Sequence, residues 1–211
     1  MTNNETGGSL ITAFSLAEKH HSGQYRKSSA DTNGVSATTE KRVPYISHLL
    51  AVAALVLENG GSMAQAEAAL LHDVLEDTAL GYKDLVEAVG FEVADIVQNC
   101  THDEFPNITD TAEKSRAKKA SYLRNLMSPD HNRDAILVAL ADKTHNAEAT
   151  LRDWDASGHD PQMFAKFHLG YEDQKQWYQD LLAAFKILDA GAPVLLSRLD
   201  YAVTTMFGGE Q

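Results

Sequence analysis

Apolar residues recur along this chain at spacings of three and four, the repeat of an α-helix with one buried face. Residues 10–21, LITAFSLAEKHH, set Leu10, Phe14 and Ala17 on one face. Residues 46–61, ISHLLAVAALVLENGG, read as a helix closed by the Gly60–Gly61 pair. Ser62 suits the N-cap of a further helix over residues 62–77, rich in alanine and leucine. Residues 82–90 form another, ending at Gly90, and residues 91–101 repeat the spacing through Phe91, Ala94 and Val97. A charged amphipathic helix over residues 109–127 stops before Pro129. Residues 133–154 are long and periodic, and residues 162–190 give the last clear helical stretch. No strand-type alternation is sustained, and no segment repeats. The pattern predicts an all-α, single-domain helical bundle of about seven to nine helices.

Three segments break the pattern. Residues 28–43, SSADTNGVSATTEKRV, are polar and aperiodic, which predicts a mobile surface loop. Residues 1–9 read as a flexible N-terminus, and residues 191–211 as a C-terminal helix or a tail, leaving the domain at residues 10–190.

Composition narrows the setting. A chain of 211 residues with 44% hydrophobic content is one domain that needs no staples. Cys100 is the single cysteine, so no internal disulfide forms, and the cytoplasm is the expected compartment. The N-terminus lacks a signal-peptide pattern, and no apolar run approaches the ~20 residues of a membrane helix. The net charge of −12 argues against DNA or RNA as a partner. A small anion binds such a protein where local positive charge or a metal offsets the background.

Candidate chemistry concentrates at residues 70–78, LLHDVLEDT, where His72, Asp73, Glu76 and Asp77 crowd an otherwise apolar helix. At helical spacing Glu76 neighbours His72 and Asp77 neighbours Asp73, so like charges repel unless a cation offsets them. A solvated helix face is the plainer explanation of a charge run. The apolar flanks and the lack of lysine or arginine one turn away argue against it. His48 opens an apolar helix, as a capped core histidine or as a ligand, and Asp142 interrupts another, with Asn146 one turn on. Two imidazoles and two carboxylates suit Mn²⁺, with Fe²⁺ or Zn²⁺ as alternatives. The other histidines lie in polar contexts and read as bystanders, with His145 the exception for its closeness to Asp142.

The set His48, His72–Asp73 and Asp142 resembles the H…HD…D signature of the HD-domain metal-dependent phosphohydrolases. HSGQYRKS, PYISHLLAVA, AALLHDVLEDT and VALADKTHNA, in that order, resemble the hydrolase domain of Rel/SpoT enzymes and the small alarmone hydrolases over about residues 10–155. The resemblance implies removal of the 3′-pyrophosphate of (p)ppGpp, giving GDP or GTP and pyrophosphate, with Mn²⁺. It implies metal ligation by His48, His72, Asp73 and Asp142 and an acid–base role for Glu76 and Asp77. Arg26, Lys27 and Ser28 match the substrate loop, Asn146 a nucleotide contact, and Lys143 a basic position. Without the family match, Arg26 and Lys27 read as a solvated turn, as do Lys114, Arg116, Lys118 and Lys119 as a solvated face. The chain departs from the family in the inserted loop 29–43, beside the expected substrate loop.

Rival readings share the metal centre: a nucleotide monophosphatase or an NADPH 2′-phosphatase. A silent nucleotide-binding regulator fits less well, because both Glu76 and Asp77 are present. The expected partner is a small guanine nucleotide, with no membrane, and the reading leaves room for a homo-oligomer.

Overall fold

The computed structural model describes residues 9–26, 42–167 and 169–208. Lys27, Ser28 and most of the inserted loop lie outside the described residues, as do residues 1–8 of the expected N-terminal segment. The helices are α1 (Leu10–His20), α2 (Ile46–Glu58), α3 (Met63–Leu71), α4 (Val74–Asp77) and α5 (Tyr82–Val89). They continue as α6 (Phe91–Cys100), α7 (Thr111–Leu126), α8 (Arg133–Ala156), α9 (Tyr171–Leu188) and α10 (Pro193–Phe207). A 3-10 helix, Pro161–Phe167, precedes α9. Among the described residues there is no strand beyond an isolated antiparallel bridge between Tyr25 and Pro44.

Local chemistry explains most boundaries. Ser62 and Gln65 form a reciprocal capping box at the start of α3. Side chains of Ser9, Asp110 and Asn132 cap α1, α7 and α8. Gly60 takes φ 82°, a left-handed conformation that suits glycine after a helix end. A Cβ on Gly61 would run into Val56 and Leu137, so this turn lets α2 and α3 meet α8 closely.

The long α8 is the central post. Its residues from Ala135 to Asp142 are all buried, and it packs against α2, α3, α6, α9 and α10. The C-terminal stretch is helical: α10 lays Leu195, Leu199, Ala202 and Phe207 into the same core.

Four expectations change in detail. Phe14 is 39% exposed, and Ala13 and Ala17 face inward instead, because small residues let α1 approach α3. Phe91, at the first position of α6, is also outside. The stretch over residues 162–190 divides at Gly170 into the 3-10 helix and α9. The expected continuous helix over residues 62–77 also breaks, at His72–Asp73. That break shapes the site.

Candidate metal and nucleotide site

His72 ends α3 and Asp73 begins α4. His72 Nδ1 donates to Ala69 O at 2.8 Å. That carbonyl is the one a continuing helix would offer to the Asp73 amide. The break redirects the acids. Asp73 stays beside His72, and Asp77 remains a turn away, its amide donating to Asp73 O at 2.9 Å. Glu76 does not sit beneath His72 as straight helical geometry implied. It turns toward His102, whose Nδ1 donates to Glu76 Oε2 at 2.8 Å.

Three helical segments bring the ligand candidates together. His48 enters from the first turn of α2, His72 and Asp73 from the α3–α4 junction, and Asp142 from the middle of α8. Ligand atoms of His48, His72 and Asp73 lie within 4.8 Å of one another. Asp142 Oδ1 is 3.2 Å from His48 Nε2 and 3.5 Å from His72 Nε2. His48, His72 and Asp142 are 1%, 3% and 5% exposed.

The hydrogen bonds fix what this cluster can hold. With its Nδ1 proton given to Ala69 O, neutral His72 presents a lone pair at Nε2. That nitrogen is buried without a hydrogen-bond partner, 3.0 Å from Asp73 Oδ2. A lone pair facing two carboxylates is repulsive unless a positive charge lies between them. Burial opposes charging His72, yet Asp73 and Asp142 outweigh it and raise its pKa well above the ordinary value. The same partners push the other way on the acids: burial raises Asp73 and Asp142, but His72 for Asp73, and Lys143 with the imidazoles for Asp142, hold both low. A divalent cation meets this demand for positive charge, and the nitrogen–oxygen donor set suits one.

Further contacts orient the ligands. The Tyr45 hydroxyl donates to Asp73 Oδ2 at 2.5 Å. His48 Nδ1 and His145 Nδ1 are 2.8 Å apart, so one ring donates to the other. Lys143 Nζ donates to Asp142 Oδ2 at 2.7 Å, and Asn146 Nδ2 to Asp142 Oδ1 at 2.6 Å. Arg26 Nη2 in turn donates to Asn146 Oδ1 at 2.9 Å. Arg26 is held by a short extended pairing: its amide donates to Val43 O, and that of Tyr45 to Gln24 O. The described residues on either side of the inserted loop therefore anchor Arg26.

A cavity of about 660 Å³ opens beside the cluster. Arg26, Tyr45, Asp77, His102, Lys143 and Asn146 line one side. Lys119, Gln174, Trp177 and Tyr178 line another, contributed by α7 and α9. Burial, then Asp73 and Glu76, raise the Asp77 carboxyl to about 6. Glu76 goes the other way: burial opposes it, but the hydrogen bond and charge of His102 hold it at about 2. The two acids thus diverge, one near neutrality and one firmly ionised. Burial lowers the Lys119 ammonium to about 7. Of the basic stretch read as a solvated face, only part is one: Arg116 pairs with Asp173 at the surface, while Lys118 meets Glu76 and Lys119 lines the cavity.

Sequence reasoning did not single out Tyr45 and set His102 aside as a bystander. Tyr45 had a signal, standing three residues before His48 at the helix entry. His102 had none, since only folding brings it to Glu76.

Fold and site together define an all-helical protein with a His–His–Asp cluster, both imidazoles buried and Asp73 half-buried, suited to a divalent metal beside a cavity. The family model for the HD domain matches residues 13–166, and the chain belongs to that family. It is 32% identical over 137 residues to the bifunctional (p)ppGpp synthase/hydrolase SpoT of Escherichia coli, covering 65% of this chain and 17% of that protein. The guanosine-3′,5′-bis(diphosphate) 3′-pyrophosphohydrolase of Shigella flexneri matches equally, at 32% over 137 residues, with 65% and 17% covered. The chain thus spans a small fraction of the length of these curated relatives. Among solved structures, a metazoan ortholog of SpoT that hydrolyzes ppGpp aligns with TM-score 0.65 and 21% identity, over 93% of this chain and 94% of the other. A Listeria monocytogenes protein aligns with TM-score 0.62 and 24% identity, over 78% and 98%. At these identities the structural likeness shows the fold.

Proposed function

We propose that this protein is a metal-dependent phosphohydrolase that removes the 3′-pyrophosphate of (p)ppGpp, giving GDP or GTP and pyrophosphate. One observation carries the hydrolase reading: the His72 Nε2 lone pair, buried opposite Asp73 and Asp142, whose partners Tyr45, Lys143 and Asn146 line the neighbouring cavity together with Arg26. The substrate class rests on the relatives with that activity in their names. His48, His72, Asp73 and Asp142 hold the ion, proposed to be Mn²⁺. When bound, a divalent cation acidifies a water for attack on phosphorus and draws charge from phosphoryl oxygens.

The chain's own groups do the rest. Asp77 faces the cavity, and its carboxyl is poised near neutrality to exchange a proton with the reacting groups. Arg26 grips phosphate or stacks on the base, steadied by Asn146. Lys143 stays charged because Asp142 outweighs its burial, and it offers a fixed positive charge to a phosphate. Tyr45 occupies Asp73 and orients it. Lys27 and Ser28 complete the substrate loop in this proposal, which places the enzyme in the cytoplasm without a nucleic-acid partner.

The test is product analysis. Purified protein is incubated with ppGpp and Mn²⁺, beside a Glu76→Gln/Asp77→Asn control, and the nucleotides are separated by ion exchange. GDP and pyrophosphate from wild type alone support the reading. Absence of turnover with metal bound moves the substrate to NADPH or a nucleoside monophosphate.

A further inference from the structure

Glu76, expected from the family resemblance to act beside Asp77, does not line the cavity. Its Oε2 accepts the His102 Nδ1 proton at 2.8 Å, and its Oε1 lies 3.5 Å from Lys118 Nζ. Lys118 is shared with Glu104, at 2.5 Å. The carboxylate is engaged at both oxygens and turned toward α7. His102 does line the cavity, and its side chain is 18% exposed.

With Nδ1 committed to Glu76, the ring has Nε2 left for other work. Among the described residues no hydrogen bond is formed by that atom. The ring is held in plane by Tyr122, stacked at 4.5 Å with an interplanar angle of 24°. Tyr122 is buried, and Lys143 Nζ sits 4.6 Å from the centroid of the same ring. One aromatic side chain therefore carries both His102 and the lysine that bonds Asp142. A carboxylate fixing one imidazole nitrogen while the other faces a reacting centre is the arrangement that sets a proton-transferring histidine. An ion cluster fastening the segment after α6 to α4 and α7 accounts for the Nδ1 bond. It leaves the cavity-facing ring unexplained.

We propose that His102 is a further catalytic residue of this site, a general acid whose Nε2 gives its proton to the departing oxygen while Glu76 holds its tautomer. The inference rests on the phosphohydrolase reading. In the step, a water oxygen bonds to phosphorus, and the bond from phosphorus to the ribose 3′ oxygen breaks with its electron pair on that oxygen. The His102 proton passes to it, forming the hydroxyl. The proton shed by the attacking water returns the ring to its starting state. Glu76 is then a positioning residue, acting through His102.

The test compares His102→Ala and His102→Gln with wild type in the full chain, with Mn²⁺ and ppGpp. Glutamine keeps a donor toward Glu76 but passes no proton. Both variants are expected to lower kcat on the order of 10²-fold or more, with KM and bound manganese near wild type. Added imidazole restores turnover to His102→Ala, and a series of methylated imidazoles does so in step with their basicity. A His102→Gln variant within a few-fold of wild type overturns the proposal, as does a folded His102→Ala that no imidazole rescues. Should His102→Ala fail to fold by thermal melting, His102→Gln decides alone. Should wild type ignore ppGpp, the substrate reading fails, and the same variants are run with NADPH and GMP. Equal turnover by wild type and His102→Gln there overturns the role of His102 alone; no turnover of any substrate by wild type overturns both.

Discussion

The two sides of the cavity are unbalanced in opposite senses. Around His48 and His72, the buried Asp142 and half-buried Asp73 meet an imidazole lone pair, and the balance calls for a cation. On the α7–α9 side, Lys119 bonds Gln174 at 3.0 Å and sits 5.1 Å from the Trp177 ring centre, and burial works against its charge. That balance calls for an anion. Asp142, Asn146 and Arg26 carry consecutive hydrogen bonds from the first group to the cavity wall. Unbalanced buried charge costs stability. A fold that retains it on both sides is arranged for ligands rather than for stability: in the proposed reading, a metal on one side and an anion on the other.

The largest effects should come from the cation side. His72→Ala or Asp73→Ala should abolish both manganese binding and turnover, read by metal analysis and product assay. Chelation of wild type should lower its melting temperature, because a cation that binds only the folded state stabilises it. Retained metal in His72→Ala would break the comparison. Next, Asp77→Asn should reduce kcat by roughly 10²- to 10⁴-fold with metal content intact, and an unchanged kcat would remove Asp77 from the chemistry.

Intermediate effects belong to the supporting contacts. Tyr45→Phe removes the donor to Asp73 and should weaken manganese affinity by about 10- to 100-fold, measured by titration calorimetry. Arg26→Ala should raise KM about tenfold or more, the worth of a hydrogen bond to a charged group, while manganese affinity stays near wild type. A fall in metal affinity as large as that of Tyr45→Phe would mean the two sides are not separable.

The smallest effect is on stability and pH. The Lys119 amine has an ordinary value when unfolded and about 7 when folded. Below about 7 both states are charged, and the folded state bears the full burial cost. As pH rises above that value the folded state sheds the proton while the unfolded state keeps it, so stability rises with pH until the unfolded amine also titrates. Lys119→Met should therefore raise the melting temperature near pH 6, with the gain shrinking toward alkaline pH. A gain that grows with pH would contradict the sign.

Legibility followed the same division. His48, His72 and Asp142 stood out because each puts a polar group where a helical apolar run demands a hydrophobe, and Asp73 because it adds an acid beside His72. The helical spacing likewise gave the all-α class, and Ser62 its cap. What escaped depends on contacts far apart in sequence. The break at His72 comes from one side-chain bond to Ala69, which no periodicity records. His102 reaches Glu76 across 26 positions from a polar segment that looks like any surface turn. Lys119 and Arg116, one turn apart, both meet α9, one at Gln174 in the cavity wall and the other at Asp173 on the surface, a division no periodicity records.

In the proposed function a divalent cation sits between the imidazoles and the carboxylates. The direct measurement is anomalous scattering from crystals equilibrated with Mn²⁺. One strong manganese peak is expected, bonded to His72 Nε2, His48, Asp73 and Asp142. Crystals with no peak there, and His72 Nε2 hydrogen-bonded to Asp73 as a charged imidazolium, would contradict it.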